Sequence, residues 1–121
     1  MKQILITGAN SGLGLASSKI LAQQGHHIIM LCRDQQRGER AVQAVQKEGS
    51  AELLQCDLSD LDNIKPLSDV LQNRKIDVLL QNAGIVLTSR RVNPQGFEMT
   101  LAVNHLAVYL LTKTLWGCLN E

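Results

Sequence analysis

Thr7-Gly8-Ala9-Asn10-Ser11-Gly12-Leu13-Gly14 joins an apolar run at residues 3–7 to a segment in which Leu13, Ala16, Ile20 and Leu21 recur at helical spacing. A glycine-rich turn between a strand and a helix has few uses. Gly8 permits a sharp reversal, Gly12 lets backbone amides approach a phosphate, and Gly14 lets the helix pack close to the strand. The free N–H groups at the helix start add partial positive charge, so the turn suits a diphosphate, with Asn10, Ser11 and Leu13 completing it. Simple reversal of the chain is the competing use. A Gly-Lys-Ser/Thr phosphate loop is excluded, because no such triplet follows at the required spacing.

Beyond Gly25, which closes this helix, the pattern repeats: an apolar run at 26–32, then helical spacing through Ala41, Val42 and Val45 over 36–48, ended by Gly49. A third run at 51–56 precedes Ser59 and Asp62, a capping-box arrangement for a helix with Leu61, Ile64, Leu67 and Leu71 on its apolar face. Pro66 interrupts that face, so the helix either kinks or starts afresh there. The run at 76–80 is apolar on both faces, as expected of a parallel strand inside a sheet. From Gly96 onward the chain reads as one long helix, apolar around most of its circumference, for burial against the sheet or another subunit.

Strands alternating with helices imply right-handed crossovers and a doubly wound, three-layer α/β/α sheet of Rossmann type, with expected strand order 3-2-1-4. Ligands of such sheets bind at the carboxyl ends of the strands. The loops after Thr7 and Gln81 are therefore expected to face each other across the switch point.

At 121 residues the chain is expected to form one domain, residues 1–121. A net charge of +1 gives no electrostatic case for nucleic acid or a membrane surface, and 2% aromatic content supplies few platforms for stacking bases. Cys32, Cys56 and Cys118 are odd in number and widely spaced, which suggests no disulfide framework and no metal site, and fits a reducing cytoplasm. No signal-like leader opens the chain. No apolar stretch reaches the length of a membrane span, the longest being broken by Asn104, His105, Thr112 and Lys113.

The glycine spacing resembles the Thr-Gly-x-x-x-Gly-x-Gly signature of the short-chain dehydrogenases/reductases. Asn82-Ala83-Gly84 resembles that family's Asn-Ala-Gly element, with Gln81 where many members have a second Asn. Asp57-Leu58 resembles its adenine-contacting pair, Val103-Asn104 its Val-Asn step, and the phrasing through Leu111-Thr112-Lys113 is similar to the retinol-dehydrogenase-like subgroup. The resemblance covers essentially the whole chain. It implies the NAD(P)-binding N-terminal half of an oxidoreductase acting on a small alcohol or carbonyl substrate. Each implied role has an alternative: Asp57 as a turn or cap residue, Asn82 as a brace for loop backbone, and Asn104 as a structural helix-to-sheet contact instead of a member of the family's proton relay.

Cofactor choice falls at Leu31-Cys32-Arg33-Asp34. In similar family members the acid selective for NAD occupies the place of Cys32, whereas Arg33 matches the basic position whose guanidinium forks onto a ribose 2'-phosphate. NADP(H) is favoured over NAD. Asp34 as a ribose acceptor, or both residues solvated in a turn, are the alternatives.

The family's catalysis uses a Ser and a Tyr-x-x-x-Lys pair. Tyr109 and Lys113 satisfy the spacing literally, but on a helix they lie roughly 140° and 180° around from Asn104, so the three cannot converge. In family members the working pair lies on a later helix, after a fifth strand, which would fall beyond Glu121. Tyr109 is therefore expected to pack, and Lys113 to lie at the surface; His26, His27 and Trp116 receive no chemistry. The chain is expected to bind cofactor without turnover, with the flank of its fourth strand uncovered. The long helix resembles the family's subunit interface, implying a homo-oligomer. A non-catalytic dinucleotide sensor is the reading from a different functional class.

Overall fold

The computed structural model describes residues 1–119; the expected helical residues 120 and 121 lie outside the described residues. The elements run β1 (Gln3–Thr7), α1 (Gly12–Gln23), β2 (His27–Cys32), α2 (Gln35–Gln46), β3 (Ser50–Gln55), α3 (Leu67–Val70) and β4 (Val78–Leu80). A helical C-terminal segment follows as α4 (Met99–Leu101), a π-helical turn Ala102–Leu106, and α5 (Ala107–Thr114). The strands pair in parallel in the order β3-β2-β1-β4, with Ile4 opposite Ile28 on one side and Val78 on the other.

Alternation along β1 and β2 feeds two cores. Ile4, Ile6, Ile28 and Met30 pack beneath α1 and α2, while Leu5, Ile29 and Leu31 pack with Ile64, Leu71, Leu111 and Leu115 on the opposite face. Burial of each such side chain stabilises the fold by about 1.5–3 kcal/mol, which explains the nearly continuous apolar runs of these strands.

Four details depart from the sequence reading. On α1 the inward stripe is Gly14, Ser18 and Ala22, whereas Leu13 is 80% and Ile20 55% exposed. Small residues win that face because the helix lies so close to the β1 turn that larger side chains have no room. The capping box at Ser59 and Asp62 does not form either. Asp57 takes the Ser59 hydroxyl at 2.7 Å, and Asp60 instead caps a short 3₁₀ turn, Leu61–Asn63, accepting from the Asp62 N–H at 3.1 Å. Of the two outcomes for Pro66 the fresh start is realised, with Pro66 at the N-cap of α3.

The third departure is the C-terminal helix, which begins at Met99 and not near Gly96, because Glu98 accepts from the Thr100 and Leu101 N–H groups at 2.7 and 3.0 Å. It buries only one side, through Val103, Ala107, Leu111 and Leu115. Last, β4 keeps Val78–Leu80 of the expected run, and it lies at the edge of the described sheet, not inside it. Ile76 instead forms a parallel bridge with Leu119 and donates its N–H to the Cys118 carbonyl at 2.7 Å.

Candidate nucleotide-binding site

At the carboxyl end of the sheet the loops after β1 and β4 meet, as their sequence order requires. The Ala83 N–H donates to Thr7 Oγ1 at 3.0 Å, and Asn82 Nδ2 donates to the carbonyls of Thr7 and Gly8, both at 3.3 Å. Gly8 has φ +62°, and a Cβ there would lie 2.9 Å from the Ala83 Cα. A Cβ on Gly14 would come within 2.2 Å of the Gly8 carbonyl oxygen. Glycine at these two positions is thus enforced by backbone-to-backbone approach. Ser11 adopts extended geometry at the N-cap of α1 without a side-chain capping bond, and the first turn carries no acid. The leading N–H groups of α1 therefore present uncompensated donors and the positive end of the helix dipole.

These loops border a cleft of about 490 Å³, whose wall includes Gly8, Asn10, Ser11, Arg33, Asp57, Leu58, Asn82, Ala83 and Gly84 among the residues anticipated from sequence. Gly12, Leu13, Gly14 and Asn104 do not line it. Gly14 lies beneath the turn, and the Leu13 side chain points to solvent. Additional wall residues are Arg37, Arg91, Cys56, Ile85, Leu87, Met99 and Val103. Arg37 carried a signal that was missed, one helical turn beyond Arg33; Arg91 carried none, since only the folding of its loop brings it to the cleft.

The charges in the wall are unevenly committed. Asp34 accepts the Arg37 N–H at 2.9 Å as the N-cap of α2, and that bond, reinforced by the nearby charges of Arg37 and Arg40, holds its carboxyl below the usual range. Asp57 accepts from the Ser59 N–H at 3.0 Å and its hydroxyl at 2.7 Å, the turn role considered for it. Arg33, Arg37 and Arg91 form no ion pair among the described residues. The cleft thus offers free cations beside satisfied acids. Burial, with the charges of Asp57 and Asp60 added, pushes the Cys56 thiol up to about 11, which keeps it protonated and unsuited to nucleophilic work at neutral pH.

Asn104 sits in the π-helical turn, where its Oδ1 accepts from the Ile85 N–H and its Nδ2 donates to the Ile85 carbonyl, both at 2.8 Å. The contact is to the loop beyond Asn82-Ala83-Gly84, not to the sheet. Gln81, where many family members carry Asn, reaches further back: its Nε2 donates to the Val108 carbonyl at 2.9 Å and to Thr112 Oγ1 at 2.6 Å, fastening α5 to the end of β4. Tyr109 is 64% exposed, so the packing expected of it is not observed. Tyr109 does not reach the cleft, in keeping with the angular argument against it.

Residues 2–121 match the family described as short chain dehydrogenase. The chain belongs to that family. It is 37% identical to retinol dehydrogenase 12 of Bos taurus over 125 residues, covering 99% of the chain and 40% of that protein. To the chloroplastic protochlorophyllide reductase of Cucumis sativus it is 38% identical, covering 98% of the chain and 31% of the reductase. The solved short-chain dehydrogenase from Sphingobium yanoikuyae in complex with NADPH superposes with a TM-score of 0.81 at 26% identity, covering 95% of this chain and 47% of that one. This short-chain dehydrogenase chain therefore spans two fifths or less of the length of these curated relatives. Its family is one of oxidoreductases. Among the described residues, no helix is long and apolar enough to cross a membrane, and no cluster of metal-ligating side chains occurs.

Proposed function

We propose that residues 1–121 are the NADP(H)-binding domain of an alcohol or carbonyl oxidoreductase, and that the chain by itself binds cofactor without turnover. The observation that carries this reading is the uncapped start of α1 at a cleft that is also lined by Arg33 and Arg37, which form no ion pair among the described residues. NADP(H), when bound, supplies the hydride donor or acceptor.

In this reading the amides of Asn10, Ser11, Gly12 and Leu13 hold the diphosphate, while Gly8 and Gly14 shape the turn. Arg33 engages the 2'-phosphate, Asp57 and Leu58 border the adenine, and Asn82, Ala83 and Gly84 face the cofactor from β4. Asn104 acts through its clamp on Ile85, which fixes the loop that a proton relay would border. The substrate is a small alcohol or carbonyl compound, the chemistry suggested by the retinol in one relative's name. The intact protein is a homo-oligomer through the exposed side of α4 and α5, where Leu101 and Tyr109 lie uncovered. All three cysteines are free, which agrees with a reducing cytoplasmic setting.

Calorimetry with NADPH tests the reading. Saturable uptake is expected, with a loss on Gly12→Val; a folded chain that takes up neither NADPH nor NADH would refute it. Carbonyl reduction by the chain, abolished by Tyr109→Phe, would overturn the claim that it lacks turnover.

A further inference from the structure

One buried polar side chain is not explained by the site as described. Asn93 is only 4% exposed although it lies in a loop, between Ile85 and the start of α4. Its Oδ1 accepts from the Gln95 and Phe97 N–H groups at 3.1 and 2.8 Å, closing a tight turn in which Gly96 adopts φ +85°. Asn93 Nδ2 also donates to Gln95 Oε1 at 2.9 Å within the turn, and the other side-chain bonds of the pair leave it. Asn93 Nδ2 donates to the Ser59 carbonyl at 3.1 Å, Gln95 Nε2 donates to Asp60 Oδ1 at 2.8 Å, and Gln95 Oε1 accepts from the Leu61 N–H at 3.0 Å.

The two loops joined in this way both line one cleft. Asp57, Leu58 and Ser59 line it from the β3 side, and Arg91 and Met99 from the α4 side. The Arg91 carbonyl accepts the Met99 N–H at 2.8 Å, and Val92 bridges Glu98, so the Asn93 turn is continuous with the Arg91 and Met99 backbone. Apart from the cross-loop bonds, the polar contacts of the residues after β3 include the local ones of Asp57 and Asn63, beside the packing of Leu58, Leu61 and Ile64 on the core.

We propose that Asn93 and Gln95 are positioning residues that latch the α4 approach loop onto the loop after β3, and so set the width of the pocket for the adenosine half of the cofactor. This rests on the NADP(H) reading above. An open latch enlarges the gap between Leu58 and Met99 and adds to binding the cost of ordering both loops. Neither latch side chain needs to touch the ligand.

Asn93→Asp retains the acceptor that closes the turn but removes the donor to Ser59 and to Gln95, and Gln95→Met removes both of its bonds across the gap together with its acceptance from Asn93. The probe is 2',5'-ADP, with 5'-AMP beside it, titrated calorimetrically at a temperature where circular dichroism shows each variant folded. Each variant is expected to bind 2',5'-ADP about tenfold more weakly, the scale of one or two lost hydrogen bonds, and to lose the same factor for 5'-AMP. That equal loss separates the latch from a phosphate contact, which would spare 5'-AMP. In the unsubstituted chain 2',5'-ADP should also slow exchange of the Leu61 amide, which does not line the cleft, and Gln95→Met should abolish that slowing. Folded variants that bind 2',5'-ADP within twofold of the unsubstituted chain would overturn the latch while leaving the cofactor reading intact. No binding by the unsubstituted chain would overturn both.

Discussion

Gly12 and Gly14 are two positions apart, yet one added methyl group acts on them in opposite ways. At Gly14 the Cβ would collide with backbone at 2.2 Å, which nothing nearby can relieve, so Gly14→Ala is expected to cost about 1–3 kcal/mol and lower the melting temperature by several degrees. At Gly12 nothing lies within 4 Å, and only its φ of +53° resists substitution. Gly12→Ala should therefore destabilise by roughly 1 kcal/mol while weakening NADPH more than that, because strain at this left-handed position disturbs the α1 amides proposed to hold the diphosphate. Calorimetry set against thermal melting separates the two effects; parallel losses in both variants would contradict the distinction. Arg33 supports a second comparison. Arg33→Ala should weaken NADPH by about ten- to a hundredfold and leave NADH nearly unchanged, the range expected for losing charge-assisted bonds to a 2'-phosphate. Equal losses would remove Arg33 from the phosphate. Arg33 was legible because it directly follows β2, where side chains enter the cleft; Arg37, four residues on, carried a signal that was missed, and Arg91 carried none, because its reach depends on how the α4 approach loop is directed in space.

The strands and the first two crossovers were legible for a physical reason: parallel strands covered on both sides leave long apolar runs, and Gly25 with φ +90° punctuates the chain in the same way. The faces of the helices were less so. Apolar periodicity on α1 points to Leu13 and Ile20, but close approach to the β1 turn selects Gly14, Ser18 and Ala22 instead, a choice that hydrophobicity does not encode. Helix starts were obscured by competing caps. Asp34 and Glu98 hold the first turns of α2 and α4, and donation from backbone N–H groups lowers both carboxyls, from the ordinary 3.8 and 4.5 respectively. Because the folded values are lowered, these caps stabilise fully above the ordinary values and lose their contribution as pH falls through the folded ones. The double variant Asp34→Asn, Glu98→Gln keeps side-chain acceptors but cannot titrate. Its acid unfolding limb, followed by circular dichroism below about pH 4.5, is expected to be shallower than that of the unsubstituted chain, and an unchanged limb would show that other carboxylates dominate.

At the scale of the whole molecule, one flank of the sheet has no strand paired along Val78–Leu80 among the described residues. β4 is hydrogen-bonded to β1 on one side, its Val78 is 39% and its Leu80 37% exposed, and among the described residues Leu119 bridges Ile76 before the strand begins. Unpaired apolar strand edges template association, and the usual protections, a charge or a proline on the edge, are absent from Val78–Leu80. A second sticky surface competes with this one: the outer side of α5, which presents Tyr109. The edge should dominate in the 121-residue chain, since strand pairing satisfies backbone groups as well as covering apolar area, whereas the helix face offers area alone. Sedimentation over a range of concentrations is therefore expected to show reversible association that Val78→Lys suppresses and Tyr109→Glu leaves largely intact, with NADPH uptake preserved in both because neither residue lines the cleft. Suppression by Tyr109→Glu alone would instead assign self-association to the helix face, and would make the proposed oligomer interface of the intact protein already active in this part of it.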